Sequence, residues 1–444
     1  MRRVNPILLF MAILALGVSS RPAALMPPTP QRSIKWPIRN IRIALSSSLL
    51  KESTSITVGS DVTGALRRAL DSWSAASGIK FEVVATDARS IGNDGVNLVT
   101  VATTSENLAI FRAGNNAAQT RVHFDQATGL ISEADIVVNP NPRAEDGTAL
   151  LFSTDGTPGT YDLESTFAHE IGHLLGLNHS NVIASTMQET QGINGTFGKP
   201  AFDARSLSEA DRVAIMGLYG PCENMGTVSG RVLKNFQGRH AAVGGAHVWI
   251  EELDSGRVIA SSLVGASGKF SMGCIAAGQY RTIVENVDED DSAFATELKA
   301  TGRRRILRRT EISSYLRISA DKESPMSFLL APIQNSVRTL RPRFYGVNGE
   351  LSTVPIVANV GTQVRVFIGG QGVDQVLGAG LKSSSPYLTI DANSLETQSS
   401  GRTSVISFNV TIAADAPVGD YTFLLESKSG ELAYLVGALS VPGL

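Results

Sequence analysis

The segment His169-Glu170-Ile171-Gly172-His173 carries the strongest chemical signal in this chain. Two histidines four apart on a helix project from one face, so both imidazoles can grip a single ion. Gly176 allows the chain to turn sharply off that helix, and His179 arrives just after the turn from another direction. Three neutral imidazoles converging on one point, with a fourth position open, are what a catalytic zinc requires. Glu170 is not a ligand in this arrangement. Next to His169, it is placed to serve as general base toward a water, so the chemistry implied is zinc-assisted hydrolysis. The bland alternative is three unrelated surface or core histidines. The chain has only six, and three stand at these spacings with an acid between them.

The elements that must position these residues are legible in outline. Leu163, Phe167, Ile171, Leu174 and Leu175 form an apolar stripe at helical spacing, so one face of the motif helix should pack on a sheet. Thr160 or Asp162 can cap its start, and Gly176 can adopt the positive φ that ends it. Upstream, the alternation of Ile41, Ile43 and Leu45 predicts a first strand. Val62, Leu66, Leu70 and Trp73 predict a helix behind Ser60 and Asp61, closed by Gly78. Short β-prone runs follow at 80–84, 96–101, 120–124 and 134–138, and another helix is expected over 208–218. Beyond Cys222 helical periodicity fades. Short β runs alternate with turn residues to the C-terminus, the spacing of two β-sandwiches of about a hundred residues each.

Composition bounds what else the chain can be. At 444 residues it is too long for one ordinary core. The formal net charge of −2 gives no global attraction for nucleic acid or an anionic membrane. Arg2 and Arg3 precede an apolar run from Ile7 to Val18, then Ser19 and Ser20, the order of a secretory signal peptide. That run is shorter than the ~20 residues a membrane span needs. The expected organisation is a signal peptide (1–20), a linker (21–34), a catalytic domain (35–221) and sandwiches at 226–331 and 336–444. In an exported protein the two cysteines, Cys222 and Cys274, read as a disulfide, with two separate buried thiols as the alternative. An acidic run from Glu285 to Asp291 and a basic run from Arg303 to Arg309 read as solvated, mutually balancing loops rather than a polyanion-binding patch.

The segment from His169 to Ser180 resembles the extended zinc signature of the metzincin metallopeptidases, and Ser180 points to their matrixin branch. Met187, in Ala184-Ser-Thr-Met187, resembles the family's Met-turn. The segment from Leu207 to Gly220 is similar to its last helix, with Asp211 matching the aspartate that braces that turn. The resemblance covers about residues 35 to 221. It implies an α/β domain with a mostly parallel five-stranded sheet, three helices and one antiparallel edge strand over the cleft, for which 120–124 is the candidate. It implies one catalytic Zn2+ on His169, His173 and His179, and a protein or peptide substrate bound in extended form. Ca2+ is left unassigned. The family's structural zinc uses further histidines, and upstream of the motif this chain has only His123, so that ion is expected to be missing. The first β module, on Thr227-Val-Ser-Gly-Arg-Val, Val243-Gly-Gly-Ala-His-Val, Gly268-Lys-Phe and Gly278-Gln-Tyr, resembles carboxypeptidase-regulatory-like or transthyretin-like sandwiches. Ala416-Pro-Val-Gly-Asp-Tyr resembles immunoglobulin-like extracellular domains. The function implied is a secreted zinc endopeptidase. The alternative is a non-catalytic extracellular binding or adhesion protein that retains a zinc-peptidase fold, and the β-sandwich modules are candidates for holding an extracellular ligand. The short stretch before the first strand contains no cysteine, so no thiolate switch on the zinc is expected there.

Overall fold

The computed structural model describes residues 33–51, 53–111, 116–144, 147–236, 239–286, 314–330, 339–400 and 403–443. The signal segment and nearly all of both charge runs lie outside the described residues. Among those described, no helix is long and apolar enough to cross a membrane.

The N-terminal part is built on a five-stranded sheet in the order β2-β1-β3-β5-β4. Its strands are β1 (Asn40–Ser46), β2 (Lys80–Thr86), β3 (Asn97–Thr100), β4 (Ala118–Phe124) and β5 (Ile131–Val138). All neighbours run parallel except β4, which pairs antiparallel with β5 on the outer edge. Three long helices accompany the sheet: α2 (Val62–Ser77), α4 (Leu163–Leu174) and α5 (Glu209–Tyr219). Two short ones, α1 (Ser48–Lys51) and α3 (Ser105–Ile110), escape a periodicity reading because neither completes two turns. Asp61 caps α2 by accepting from the Gly64 amide, and Gly78 ends it at φ 70°. The short strands β6 (Phe152–Ser153) and β7 (Tyr161–Asp162) lead into α4.

Helix α4 runs through the middle of the core. Leu163, Phe167, Ile171, Leu174 and Leu175 are all fully buried. At about 1.5–3 kcal/mol per buried large apolar side chain, packing rather than propensity holds this helix. Trp73 of α2 donates its indole N–H to the Ala168 carbonyl (2.7 Å), locking the two helices together. Trp36 donates to the Leu174 carbonyl (2.9 Å) and the Tyr219 hydroxyl to that of Leu175 (2.7 Å), so two carbonyls left over at the helix end find partners. Ile34, placed in the linker by sequence, is buried in this core. Its carbonyl lies against Gly176, where a Cβ would approach it to 2.2 Å. The open space at a glycine therefore draws the preceding segment in.

Downstream, β8 (Met225–Phe236), β9 (Arg239–Ala242), β10 (Ala246–Glu252), β11 (Val258–Leu263), β12 (Lys269–Ala276), β13 (Gly278–Asn286), β14 (Ser314–Ile318) and β15 (Glu323–Leu330) follow. They form sheets β11-β10-β13-β14 and β12-β8-β15, with β9 on β8, around one core. The remaining strands are β16 (Arg341–Val347), β17 (Ile356–Val357), β18 (Gln363–Gln371), β19 (Val376–Ser383), β20 (Leu388–Ser400), β21 (Thr403–Ile412), β22 (Gly419–Ser427) and β23 (Leu432–Val441). They make sheets β16-β18-β21-β20 and β17-β23-β22-β19 around another. The second set begins at Arg341; the boundary at 336 expected from sequence lies outside the described residues. Cys222, just past α5, is joined to Cys274 on β12, with Cα atoms 4.9 Å apart. A small cluster of Val182, Ala210, Trp249, Val258, Ile283 and Val436 brings all three parts together.

Asp162 anchors the start of α4. Of the two capping candidates it is the one used: its carboxylate accepts from the Ser165 amide at 2.9 Å. Its side chain is fully buried and is neutralised by Arg205, whose guanidinium also donates to the Thr154 carbonyl at 2.9 Å. Removing one partner of a buried ion pair costs more than the pair contributes, because the other charge stays behind. Arg205→Ala is expected to lower unfolding free energy by roughly 3–5 kcal/mol, measured by urea denaturation. A change below 1 kcal/mol would show that Asp162 does not depend on Arg205.

Candidate metal centre and cleft

The three histidines of the motif meet. His173 Nε2 lies 3.1 Å from both His169 Nε2 and His179 Nε2. On the far side of the rings, His169 Nδ1 is 2.8 Å from the Thr186 carbonyl and His173 Nδ1 is 2.8 Å from the Leu177 carbonyl. A carbonyl only accepts, so each Nδ1 carries the proton and each Nε2 presents its lone pair to the centre. Lone pairs facing each other at this range repel in the absence of a cation, and this donor set fits Zn2+. Burial pushes the pKa of all three imidazoles down, that of His173 to about 3, and keeps them in the neutral form a metal needs.

Glu170 is buried next to this centre. Thr120 on β4 stands 2.5 Å from its Oε2 and 3.0 Å from its backbone carbonyl, a single hydroxyl bridging helix and edge strand. Burial raises the carboxyl to about 7, opposed by the Thr120 hydrogen bond. Glu170, the three histidines, residues 116–120 of β4 and its approach, and Gln188, Glu189 and Gln191 line one cleft. Motif spacing gave Glu170; Thr120 carried no sequence signal beyond lying in the anticipated edge strand.

Below the histidines, Met187 is almost fully buried. Its turn is held by Asp211, which accepts from the Ser185 hydroxyl, from the Thr186 amide at 2.8 Å and from the Ser208 amide at 3.0 Å. The same carboxylate completes the capping box of α5. One group thus fixes both the start of α5 and the Thr186 carbonyl that orients His169. Gly176 takes φ 97° and Leu177 turns back, its carbonyl receiving the His173 ring. Cys222 and Cys274 lie away from the centre, at the boundary with the first β module.

A second recess opens beside His169. Ala184, Thr186, Gln188 and Pro200 line one side, and Val354 and Pro355 of the last module line the other. The Phe197 amide donates to Glu350 at 2.7 Å and Lys199 donates to the Val357 carbonyl at 3.2 Å, which fixes that module against the recess. Motif reading gave no hint of a wall contributed from so far along the chain.

Gly172, unremarked between the two motif histidines, meets a hard constraint. A Cβ there would lie 2.1 Å from Met187 Sδ and 2.9 Å from Trp73. Gly172→Ala is expected to displace Met187 and cost about 1–3 kcal/mol by overpacking, with weaker retention of zinc against a chelator. Thermal unfolding with and without zinc, beside metal content, checks both. An unchanged midpoint and unchanged metal would show that the floor yields freely.

Residues 35–220 match the family model described as Matrixin, of peptidase group M10. That match supports a zinc metallopeptidase type of fold over this part of the chain. No curated protein matches the chain. Among solved structures it is similar to the minor pilin GBS52 of Streptococcus agalactiae, at 8% identity and TM-score 0.19 over 27% of this chain and 49% of that one. It is similar also to the major pilin BcpA of Bacillus cereus, at 12% and 0.17 over 47% of this chain and 66% of that one. The pilus protein RrgB of Streptococcus pneumoniae gives 10% and 0.16 over 48% and 49%. The chain thus spans about half to two thirds of these proteins, and at such TM-scores the likenesses carry no weight for function.

Proposed function

We propose that this chain is an exported zinc endopeptidase of the matrixin kind within the metzincins, with residues 35–221 as its catalytic domain. The observation that carries the reading is the convergence of three Nε2 lone pairs beside a buried carboxylate in one cleft. His169, His173 and His179 would hold the ion, and Met187 and Asp211 would support them from below. A bound zinc would polarise the scissile carbonyl and make water acidic enough to attack at neutral pH. Glu170 takes the proton from the attacking water on its carboxylate. The water oxygen adds to the carbonyl carbon, the C–N bond breaks, and Glu170 returns the proton to the leaving amine. Thr120 holds the carboxylate in place throughout.

The substrate enters extended. β4 is an edge strand, and its backbone beside the cleft is available for strand addition. A side chain directed into the recess beside His169 meets an apolar wall of Val354 and Pro355, which favours aliphatic or aromatic residues there. Export rests on the segment from Arg2 to Ser20 and agrees with the joined cysteine pair.

Glu170→Ala should retain zinc and lose at least 100-fold in peptide cleavage, an order of magnitude set by general-base contributions. His169→Ala or His179→Ala should lose both. Metal analysis beside a quenched-peptide assay decides it. Undiminished cleavage by the Glu170 variant would sink the mechanism, and zinc without cleavage in the unaltered protein would move the reading to the non-catalytic alternative. Val354→Ala, which widens the recess, should shift the preferred side chain toward larger apolar residues in peptide-library profiling. An identical profile would mean that the last module does not help select substrate.

A further inference from the structure

The recess beside His169 is shaped by a segment that two parts of the chain hold at different points. Its stem belongs to the N-terminal part. Asn194 donates its amide to the Thr160 carbonyl at 2.8 Å, and its own carbonyl accepts from the Gly159 amide at 2.7 Å. Its side-chain oxygen accepts from the Ala201 amide at 2.8 Å. The tip, 195–199, closes on itself: the Gly195 amide donates to the Lys199 carbonyl at 2.8 Å and the Gly198 amide to that of Gly195 at 2.9 Å. Thr196, Phe197 and Lys199 of this tip line the recess.

Phe197 departs from what its residue type favours. Its φ of 57° and ψ of 22° are left-handed, a conformation that a bulky side chain keeps only where its surroundings fix it. Here the last module does so. At the end of β16, Tyr345 and Ser352 exchange backbone hydrogen bonds at 2.9 Å around a tight turn, with Asn348 at φ 57° and Gly349 at φ 79°. That turn presents Glu350, which accepts from the Phe197 amide, 153 residues away along the chain. The Phe197 ring lies on the backbone of Gly346, where a Cβ would meet its Cε1 at 2.6 Å. Val354 sits over Gly192 in the same manner, 2.9 Å from where a Cβ would stand. Ring and amide of Phe197 are thus both held by one turn. Gly346 and Glu350 do not themselves line the recess.

We propose that the 345–352 turn of the last module is a positioning element for substrate selection: through Phe197 it sets the shape of the 195–199 tip, and so which side chain the recess accepts. The inference rests on the peptidase reading and extends it. Gly346 acts by leaving room for the ring. Glu350 acts by a charge-assisted hydrogen bond to a backbone amide, stronger than a neutral one. Without this turn Phe197 relaxes toward negative φ, which turns its ring and both flanking peptides and reshapes the wall. The zinc ligands and Glu170 are held from α4 and the Met187 turn and do not follow. Selectivity is therefore separable from bond cleavage, and it depends on a module outside the catalytic domain.

The test uses the full exported chain and paired quenched peptides that differ only in the residue entering the recess, leucine or glycine. Glu350→Ala should lower the leucine-over-glycine ratio of kcat/KM by about tenfold, the lower end of what one fitted methylene is worth in an apolar pocket. Zinc content and unfolding midpoint should match those of the unaltered chain. Glu350→Gln, which keeps an acceptor oxygen, should restore most of the ratio, and Gly346→Ala, which pushes on the ring, should lower it. Hydrogen exchange at 195–199 should quicken in Glu350→Ala. A ratio unmoved in both Glu350→Ala and Gly346→Ala overturns the proposal, as does unchanged exchange. An equal loss on both peptides with a lowered midpoint also overturns it, since the contact would then be structural only. No cleavage of either peptide by the unaltered chain would instead sink the peptidase reading, and the claim on selectivity with it.

Discussion

Three imidazole lone pairs held 3.1 Å apart along two of the contacts are an unfavourable arrangement that the fold must impose. Much of the N-terminal architecture serves that imposition. The two ring protons are spent on backbone carbonyls, so neither ring can flip without leaving a buried carbonyl bare. Those carbonyls sit in turns held by Gly176 on one side and by the Asp211 carboxylate on the other. The helix that carries two of the rings is itself fixed at its start by Asp162 and at its end by Trp36 and Tyr219. A metal would be met by ligands already ordered, with little entropy left to lose.

How much of this was legible in sequence depends on whether the signal is local. His169, Glu170 and His173 share one helix turn, so spacing alone places them, and His179 follows from a single glycine. The edge strand was legible as a β-prone run at 120–124, and its place at the sheet's edge came from the family resemblance. What ties the motif to the rest of the chain was not. Trp36 and Leu174 meet across 138 residues, and Trp36 and Tyr219 across 183. No periodicity encodes such a meeting.

The β modules show the same divide. A strand with clean alternation, such as β21, or a short continuous buried run, such as β10, was readable. β19 and β20 were not, since Gly378 and Gly380 interrupt one and a register shift between Asp391 and Glu396 breaks the alternation of the other. Gly172 illustrates a further limit. Its identity is fixed by Met187 and Trp73, neither of which is its sequence neighbour.

The small cluster around Val182 has a consequence for how the chain can be divided. Val182 lies between the third histidine and Met187, and the next residue, Ile183, donates its amide to the Val436 carbonyl at 2.8 Å. Trp249 of the first β module stacks edge-on against Tyr434 of the second, 5.1 Å between ring centres. A cut after Cys222 would therefore uncover Val182 and Ala210 on the catalytic fragment and Trp249 on the other. Each freshly exposed apolar surface invites self-association in water. The boundaries that composition draws along the chain are boundaries of topology, and the apolar cluster at Val182 is shared across them.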